Sequence, residues 1–555
     1  MRLMRMLFGR HPGLALFITL LSIVNAGIGV GVIAFINQRL AQPGTALGPA
    51  LAQFTVLLLA VMVSGVIAQI GMTTLGHRGV LALRNTVLKR MLDTPLARLG
   101  ALGAPRLQAS LSVDVQALSV AFVRLPAVVH GALLTVAASA YLAWLSWPLF
   151  LATLALIGAA LLVAWRLLGI TNREVASARE AADQLYGSYL AVLQGRKELR
   201  LNRHRARRVY EEEFERSAQA DRYHQSRADL FYSAYSNWIS VMLLVAIGVS
   251  FFLASHFGWA DRAVATTFAI SLLYLSTPLG LLVGAMPGLI AGNVALAKLD
   301  SLALAPYQAG FALPEALPAD WEHLVLEDVC YRYAERDGEG GFALGPLNLT
   351  LKRGEVVFLI GGNGSGKSSM ARLLCGLSIP DSGRILLDGQ PLAVEQLPAY
   401  RQLFAAVFSD FHLFAQLLDG KGATADSTLV AQWLERLALS DKVTPSNGRL
   451  PSTAYSQGQR KRLALMLAAL EERPVLLLDE WAADQDPAYR QLFYLGVLEY
   501  LRSTGKTVFA ITHDERYFHL ADRLLKMDGG QLVELQGPSR ARASLDAVAA
   551  LSASD

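Results

Sequence analysis

The chain has 555 residues, enough for two or three domains, and 53% of them are hydrophobic, which excludes a purely soluble protein. The formal net charge is +5. It follows from the placement of basic loops described below, so no nucleic-acid partner is needed to explain it.

Six long uncharged apolar runs come first, at roughly 13–36, 49–74, 125–146, 148–165, 230–255 and 263–292. A helix rises ~1.5 Å per residue, and ~20 residues cross the hydrocarbon of a bilayer. Five runs reach that length. The fourth, PLFLATLALIGAALLVAW, is shorter and shares a tight SWP turn with the third. Six repeats of the pattern point to six membrane spans rather than buried soluble helices. The first run lacks a small-residue cleavage site and reads as a retained helix, not a signal peptide.

Basic residues alternate between the loops. The N-terminus carries Arg2, Arg5 and Arg10, and the first loop has only Arg39. The second loop, about 77–124, has seven Lys/Arg, the fourth, about 166–229, has thirteen, and the fifth, HFGWADR, has one. The positive-inside rule then places both termini and the two long loops in the cytoplasm. Those loops, RNTVLKRMLDTPLARL and REAADQLYGSYLAVLQGRKELRLNRHRARRVYEEEFERS, have mixed charges and helical apolar spacing, so helices are expected to project into the cytoplasm.

Within the spans, Phe231, Tyr232, Tyr235 and Trp238 form either an interfacial aromatic belt or a stacking wall for a bulky ligand. Asn25, His130 and Asn237 either face a cavity or bond helix to helix. Pro278 and Pro287 are expected to kink the sixth span. Pro306, Pro314 and Pro318 then mark a linker. The expected layout is a transmembrane domain over 1–298, a linker over 299–321, an α/β domain over 322–535 and a loose tail over 536–555. The fold class is therefore an all-α six-helix membrane domain fused to an α/β P-loop domain. The two cysteines, Cys330 and Cys375, lack metal-ligand spacing and read as reduced core residues.

EVVFLIGGNGSGKSSMARLL carries the strongest chemical signal. A buried strand, a loop matching G-x-x-x-x-G-K-[ST] from Gly361 to Ser368, and a helix follow one another, as a phosphate loop requires. The backbone over Gly361, Gly362, Asn363, Gly364, Ser365 and Gly366, with Ser369 beyond, would wrap the phosphates of ATP. Lys367 would contact the β- and γ-phosphates, and the Ser368 hydroxyl would bind Mg²⁺. A hundred residues on, RPVLLLDEW is an apolar strand ending in Asp479, a second Mg²⁺ candidate, and Glu480, placed to orient or deprotonate the attacking water. TVFAITHDERYF gives a further strand ending at His513, a candidate γ-phosphate sensor.

In this order the motifs resemble the ATP-binding-cassette superfamily over essentially the whole chain. The family signature is usually LSGGQ; here YSQGQ spans Tyr455 to Gln459. Ser456 and Gln459 can form a capping box, so the helix beginning there keeps an N-terminus able to receive an anion. The resemblance implies that Ser456, Gln457, Gly458 and Gln459 face the γ-phosphate of ATP bound to an opposing cassette. It also implies that Ser409 stands where the family carries its Q-loop glutamine at the metal, with Asp410 able to compensate. Asp486 matches the D-loop, and Tyr333 matches the aromatic that stacks on adenine.

Six spans fused to one cassette resemble an exporter-type half-transporter working as a homodimer in a bacterial inner membrane. VFSDFHLF, QGRKELRLN, YSQGQRKRLAL and LLLDEWAADQDP are similar to the cyclic-peptide exporter group, whereas most exporters read closer to DEPTSALD. This implies export of a peptide or siderophore precursor. The competing readings are a lipid flippase, a fused siderophore importer and a non-transporting membrane regulator.

Overall fold

The computed structural model describes Gly9 and residues 12–537, apart from 41–46, 104–106, 109, 312–316, 319 and 333–341. Arg2, Arg5, Arg10, Pro314, Tyr333 and the tail beyond Gly537 lie outside the described residues. The chain forms two compact units, the first running to Tyr307 without Pro95–Arg98, the second made of Pro95–Arg98 and the chain from Gln308.

In the first unit six long helices follow the six apolar runs: α1 (Pro12–Phe35), α2 (Leu47–Asp93), α3 (Val115–Leu145), α4 (Trp147–Gln194), α5 (Glu215–Phe257) and α6 (Arg262–Ser301). Each contains a stretch long and apolar enough to cross a membrane. Ser146, in extended conformation, ends α3 and caps α4, with Pro148 in the first turn of α4. That proline lacks an N–H that would be unpaired there in any case. The second basic stretch is helical but interrupted. Gly195 ends α4, and Asn202 caps a short helix over Arg203–Arg208 by accepting from Arg205 N at 3.0 Å.

Two apolar clusters hold the membrane unit. Ile18, Met72, Leu75, Leu118, Phe122 and Leu299 join α1, α2, α3 and α6. Leu142, Leu149, Ala254, Phe268 and Leu275 join α3, α4, α5 and α6. Small residues bring helices close: a Cβ on Gly131 would lie 3.3 Å from Pro278 O. Asn25 donates to Ser64 Oγ at 2.8 Å and Val61 O at 2.9 Å, which is the helix-bonding role. His130 Nδ1 is buried and has no hydrogen-bond partner among the described residues. Trp238 Nε1 donates to Ala160 O at 3.0 Å. Both Pro278 and Pro287 lie inside an unbroken α6. On the α4–α5 pair, Glu174 forms an ion pair with Arg227 Nε at 3.0 Å and meets His224 Nδ1 at 2.8 Å.

The second unit has two sheets. β1 (His323–Arg332), β2 (Ala343–Lys352), β4 (Ser382–Leu387) and β5 (Gln390–Pro391) form an antiparallel sheet in the order β2-β1-β4-β5. β3 (Val356–Ile360), β6 (Phe404–Val407), β7 (Val475–Asp479), β8 (Thr507–Ile511), β9 (Arg523–Asp528) and β10 (Gln531–Leu535) form a second sheet in the order β10-β9-β3-β8-β7-β6. It is parallel except at β10. Strands β3, β7 and β8 are nearly continuous apolar runs because both faces are covered.

Between the sheets lies a core of Leu324, Leu347, Leu359, Met370, Tyr400 and Phe509, with α7 (Lys367–Leu374) inside it. Leu434, Leu463, Met466, Leu478 and Trp481 build the other core, beneath α8 (Ser427–Arg436) and α9 (Gln457–Leu470). Cys375 is buried, and burial pushes its thiol up to about 11. Cys330 is only half-buried, a correction to its reading as a core residue; it sits where β1 passes Gly345, at a register shift in the strand pairing.

Candidate functional site

The carboxyl ends of β3, β7 and β8 meet at one edge of the parallel sheet, and the candidate residues sit on the loops leaving them. This is where open α/β sheets place ligands. Leaving β3, the chain turns at Gly361 (φ 151) and Gly366 (φ 106). Both are held to glycine by close approach: a Cβ on Gly361 would strike Met527 O, and one on Gly366 would strike the Leu344 side chain. The turn delivers its N–H groups to the start of α7, where the helix dipole favours an anion.

Lys367 is 5% exposed. Its ammonium donates to Gly361 O at 2.9 Å and Gly362 O at 3.1 Å, and lies 3.8 Å from Glu480 Oε1. His513 Nε2 is 3.4 Å from the same Glu480 oxygen. Strand β8 ends at Ile511, two residues earlier than the reading that ran it to His513. His513 is half exposed beyond it, and Asp514 is anchored by Arg490 at 3.1 Å and the Tyr494 hydroxyl at 3.0 Å. Glu480 follows β7 in the left-handed region (φ 49), where a non-glycine residue is uncommon. Its N–H donates to Ile511 O at 3.0 Å, so β8 fixes the turn.

Asp479 is 1% exposed, and among the described residues neither carboxylate oxygen has a hydrogen-bond partner. Burial raises its pKa, the Ser368 and Ser409 hydroxyls oppose that rise, and the neighbouring Glu480 carboxylate adds to it. An orphaned buried carboxylate beside two hydroxyls is an all-oxygen donor set suited to a hard divalent cation. The Ser409 side chain and backbone N–H are both among the groups that act on Asp479.

Ser456, in extended conformation, caps α9. Its hydroxyl accepts from Gln459 N at 3.4 Å, and Gln459 Oε1 accepts from Ser456 N at 3.2 Å. The expected capping box is therefore present. Gln457 does not hang free: its amide donates to Asp484 Oδ2 at 3.0 Å. A Cβ on Gly458 would lie 3.3 Å from Asp484 O, which suits glycine there. Asp486 caps α10 (Pro487–Leu492) by accepting from Tyr489 N at 3.1 Å.

Lys367, Ser368, Ser409, Asp479, Glu480 and His513 are thus brought together. Among the described residues, no hydrogen bond or ion pair joins Ser456–Gln459 directly to that cluster. The link runs through Lys461, whose ammonium pairs with Asp484 at 2.7 Å and donates to Glu480 O at 2.8 Å. The Lys461 ammonium also holds the Asp484 carboxyl below the usual carboxylate range. Reading the motifs missed Lys461 and Asp484, although a lysine inside an otherwise buried helix was a visible signal.

In the membrane unit, a cavity of about 420 Å³ lies among α4, α5 and α6. Leu161, Trp165, Met286 and Ile290 make it apolar, and Asn172 and Tyr235 are its polar groups. Tyr235 therefore lines a cavity, while Asn25, His130 and Asn237 are not in its wall.

The ABC transporter family profile matches residues 344–483. The chain is 34% identical over 551 residues to the ATP-binding protein SyrD of Pseudomonas syringae pv. syringae, covering 96% of each chain. It is 34% identical over 225 residues, 38% of this chain and 37% of the other, to an ATP-dependent lipid A-core flippase of Ralstonia nicotianae. Its fold matches the structure of a bacterial Atm1-family ABC exporter with ATP bound, at a TM-score of 0.71 and 19% identity over 95% of each chain. An end-to-end relative and a matching ATPase profile settle the family: the chain is an ABC transporter, a multi-pass membrane protein that binds ATP and couples its hydrolysis to transport.

Proposed function

We propose that the protein is a homodimeric exporter that moves a peptide or siderophore precursor from cytoplasm to periplasm across a bacterial inner membrane, with both termini cytoplasmic. The observation that carries this reading is the similarity to SyrD along 96% of both chains, membrane unit included. The flippase likeness covers too few residues to include both units. The alternation of basic loops supports the orientation. The layout 1–298, 299–321 and 322–535 serves as its working division.

In this reading the loop Gly361–Gly366 and the start of α7 cradle the phosphates. Lys367 leaves its loop carbonyls for the β- and γ-phosphate oxygens. Ser368, Asp479 and Ser409 would hold Mg²⁺, which supplies charge neutralisation at the phosphates. Glu480 orients the attacking water and takes its proton as oxygen bonds to the γ-phosphorus and the bond to ADP breaks. His513 holds the Glu480 carboxylate and senses the γ-phosphate. Ser456–Gln459 and Asp486 complete the partner chain's site, so each ATP needs both copies. Tyr333 stacks on adenine.

The apolar cavity among α4, α5 and α6 favours a second reading, a lipid flippase. ATPase assays in nanodiscs separate the two. Peptide fractions from producing cells that stimulate turnover, with added lipids inert, support export of peptide; the reverse supports the flippase.

A further inference from the structure

Lys461 stands between the two halves of the ATPase machinery. Its side chain is 4% exposed, and its ammonium has two partners, Glu480 O at 2.8 Å and Asp484 Oδ2 at 2.7 Å. The same Asp484 oxygen accepts from Gln457 Nε2 at 3.0 Å. Gln457 is the first residue of α9, next to the Ser456 cap. A line of three polar contacts therefore runs from the N-terminus of α9 to the peptide of Glu480. Two more bonds flank it: Trp481 Nε1 donates to Lys461 O at 2.8 Å, and Gln485 Nε2 donates to Gly458 O at 3.0 Å.

Two residues in this line depart from the family pattern together. Gln457 stands where LSGGQ has glycine, and Asp484 stands where DEPTSALD has alanine. Glycine offers no side-chain amide and alanine no side-chain acceptor, so each departure supplies the partner the other needs. A buried ammonium is costly unless paired, which keeps Lys461 on Asp484 and on the Glu480 carbonyl. Glu480 is in the left-handed region, where surrounding contacts must hold a non-glycine residue. Ile511 O holds its N–H, and Lys461 holds its carbonyl. The direction of the Glu480 side chain thus depends on where Lys461 sits.

We infer that Gln457, Asp484 and Lys461 are positioning residues forming a strut, through which docking of the signature on one ATP aligns Glu480 at the other. The inference rests on the paired-site assembly proposed above, in which the start of α9 faces the partner's nucleotide while Glu480 acts on its own. Movement of the α9 N-terminus on docking draws Gln457, then Asp484, then the ammonium that fixes the Glu480 peptide. The result is two sites that fire together.

The test co-expresses two differently tagged full-length chains in equal amounts, one carrying Lys367→Ala, and measures ATPase activity of the purified mixture at an ATP concentration that leaves the weakened site empty, so that the partner's signature has no nucleotide to dock on. Random pairing leaves about one quarter of the dimers with two intact sites and about one half with one. Coupled sites give about one quarter of parent turnover, and independent sites about one half. Asp484→Asn is then placed in both chains, with activity referred to Asp484→Asn alone. The expected result is a rise from one quarter towards one half, together with a roughly tenfold fall in kcat for Asp484→Asn itself. A quarter in both backgrounds overturns the strut but leaves paired sites standing. A half in the parent background shows uncoupled sites and overturns the strut, although each ATP can still draw on both copies. Should Asp484→Asn fail to fold, Gln457→Gly, an exposed change that leaves Lys461 paired, takes its place with the same two outcomes.

Discussion

Replacing Glu480 with glutamine is the sharpest perturbation of the site. Glutamine keeps the volume and the left-handed turn (φ 49), because the Ile511 and Lys461 bonds are to its backbone. What is lost is one negative charge, 3.8 Å from the Lys367 ammonium and 3.4 Å from His513 Nε2, and with it the ability to take a proton. A positioned general base contributes roughly 10²–10⁴-fold to rate, so kcat should fall at least ~100-fold. Lys367 keeps its loop contacts, and the phosphates no longer face a carboxylate. ATP should therefore bind at least as tightly as before. The assay is steady-state phosphate release by the protein in nanodiscs, with binding of a fluorescent ATP analogue measured in parallel. Turnover within threefold of the parent would refute Glu480 as the base, and lost nucleotide binding would show that the change acted through structure.

Other consequences can be measured separately. Lys367→Ala removes an ammonium that makes two charge-assisted contacts, and ATP affinity should fall roughly tenfold or more, read by the same analogue. Ser456→Ala breaks the capping box, and thermal unfolding of the ATPase unit should report a loss of about 1 kcal/mol. Cys375 is buried with its thiol pushed up to about 11, so native alkylation at pH 8 should label Cys330 alone, and mass spectrometry should find Cys375 modified only after denaturation. Asp484 has a depressed pKa, so its contribution to stability is complete above its unfolded value near ~3.9 and is lost as pH falls through the lower folded value. The Tm gap between parent and Asp484→Asn should accordingly stay constant from pH 8 to 5.

The six spans were legible because a bilayer demands long apolar runs whatever their neighbours. The phosphate loop was legible because Gly361 and Gly366 must be glycine for reasons local to the turn. Asp479, Glu480 and His513 followed, since a residue at a strand end or just beyond it stays at one edge of the sheet. The Lys461–Asp484–Gln457 line was not legible. Its members are up to 27 residues apart, and their meeting depends on α9 packing beside the turn after β7. Glu174 and His224, 50 residues apart, meet for the same reason, through the pairing of α4 with α5. The breaks at Gly195 and Asn202 were hidden by charged residues whose helical spacing continues across them. The cavity among α4, α5 and α6 arises where three helices fail to fill the space between them, which periodicity along one helix does not encode.

Export of a peptide or siderophore precursor by this ATPase would change what lies on each side of the inner membrane. Untargeted mass spectrometry of cytoplasm, periplasm and medium, in cells carrying the parent or Glu480→Gln, tests it most directly. One peptide or siderophore precursor should accumulate inside the variant cells and vanish from the periplasm and medium. Unchanged peptides with lipids redistributed between membranes, or accumulation of a siderophore inside parent cells only, would contradict it.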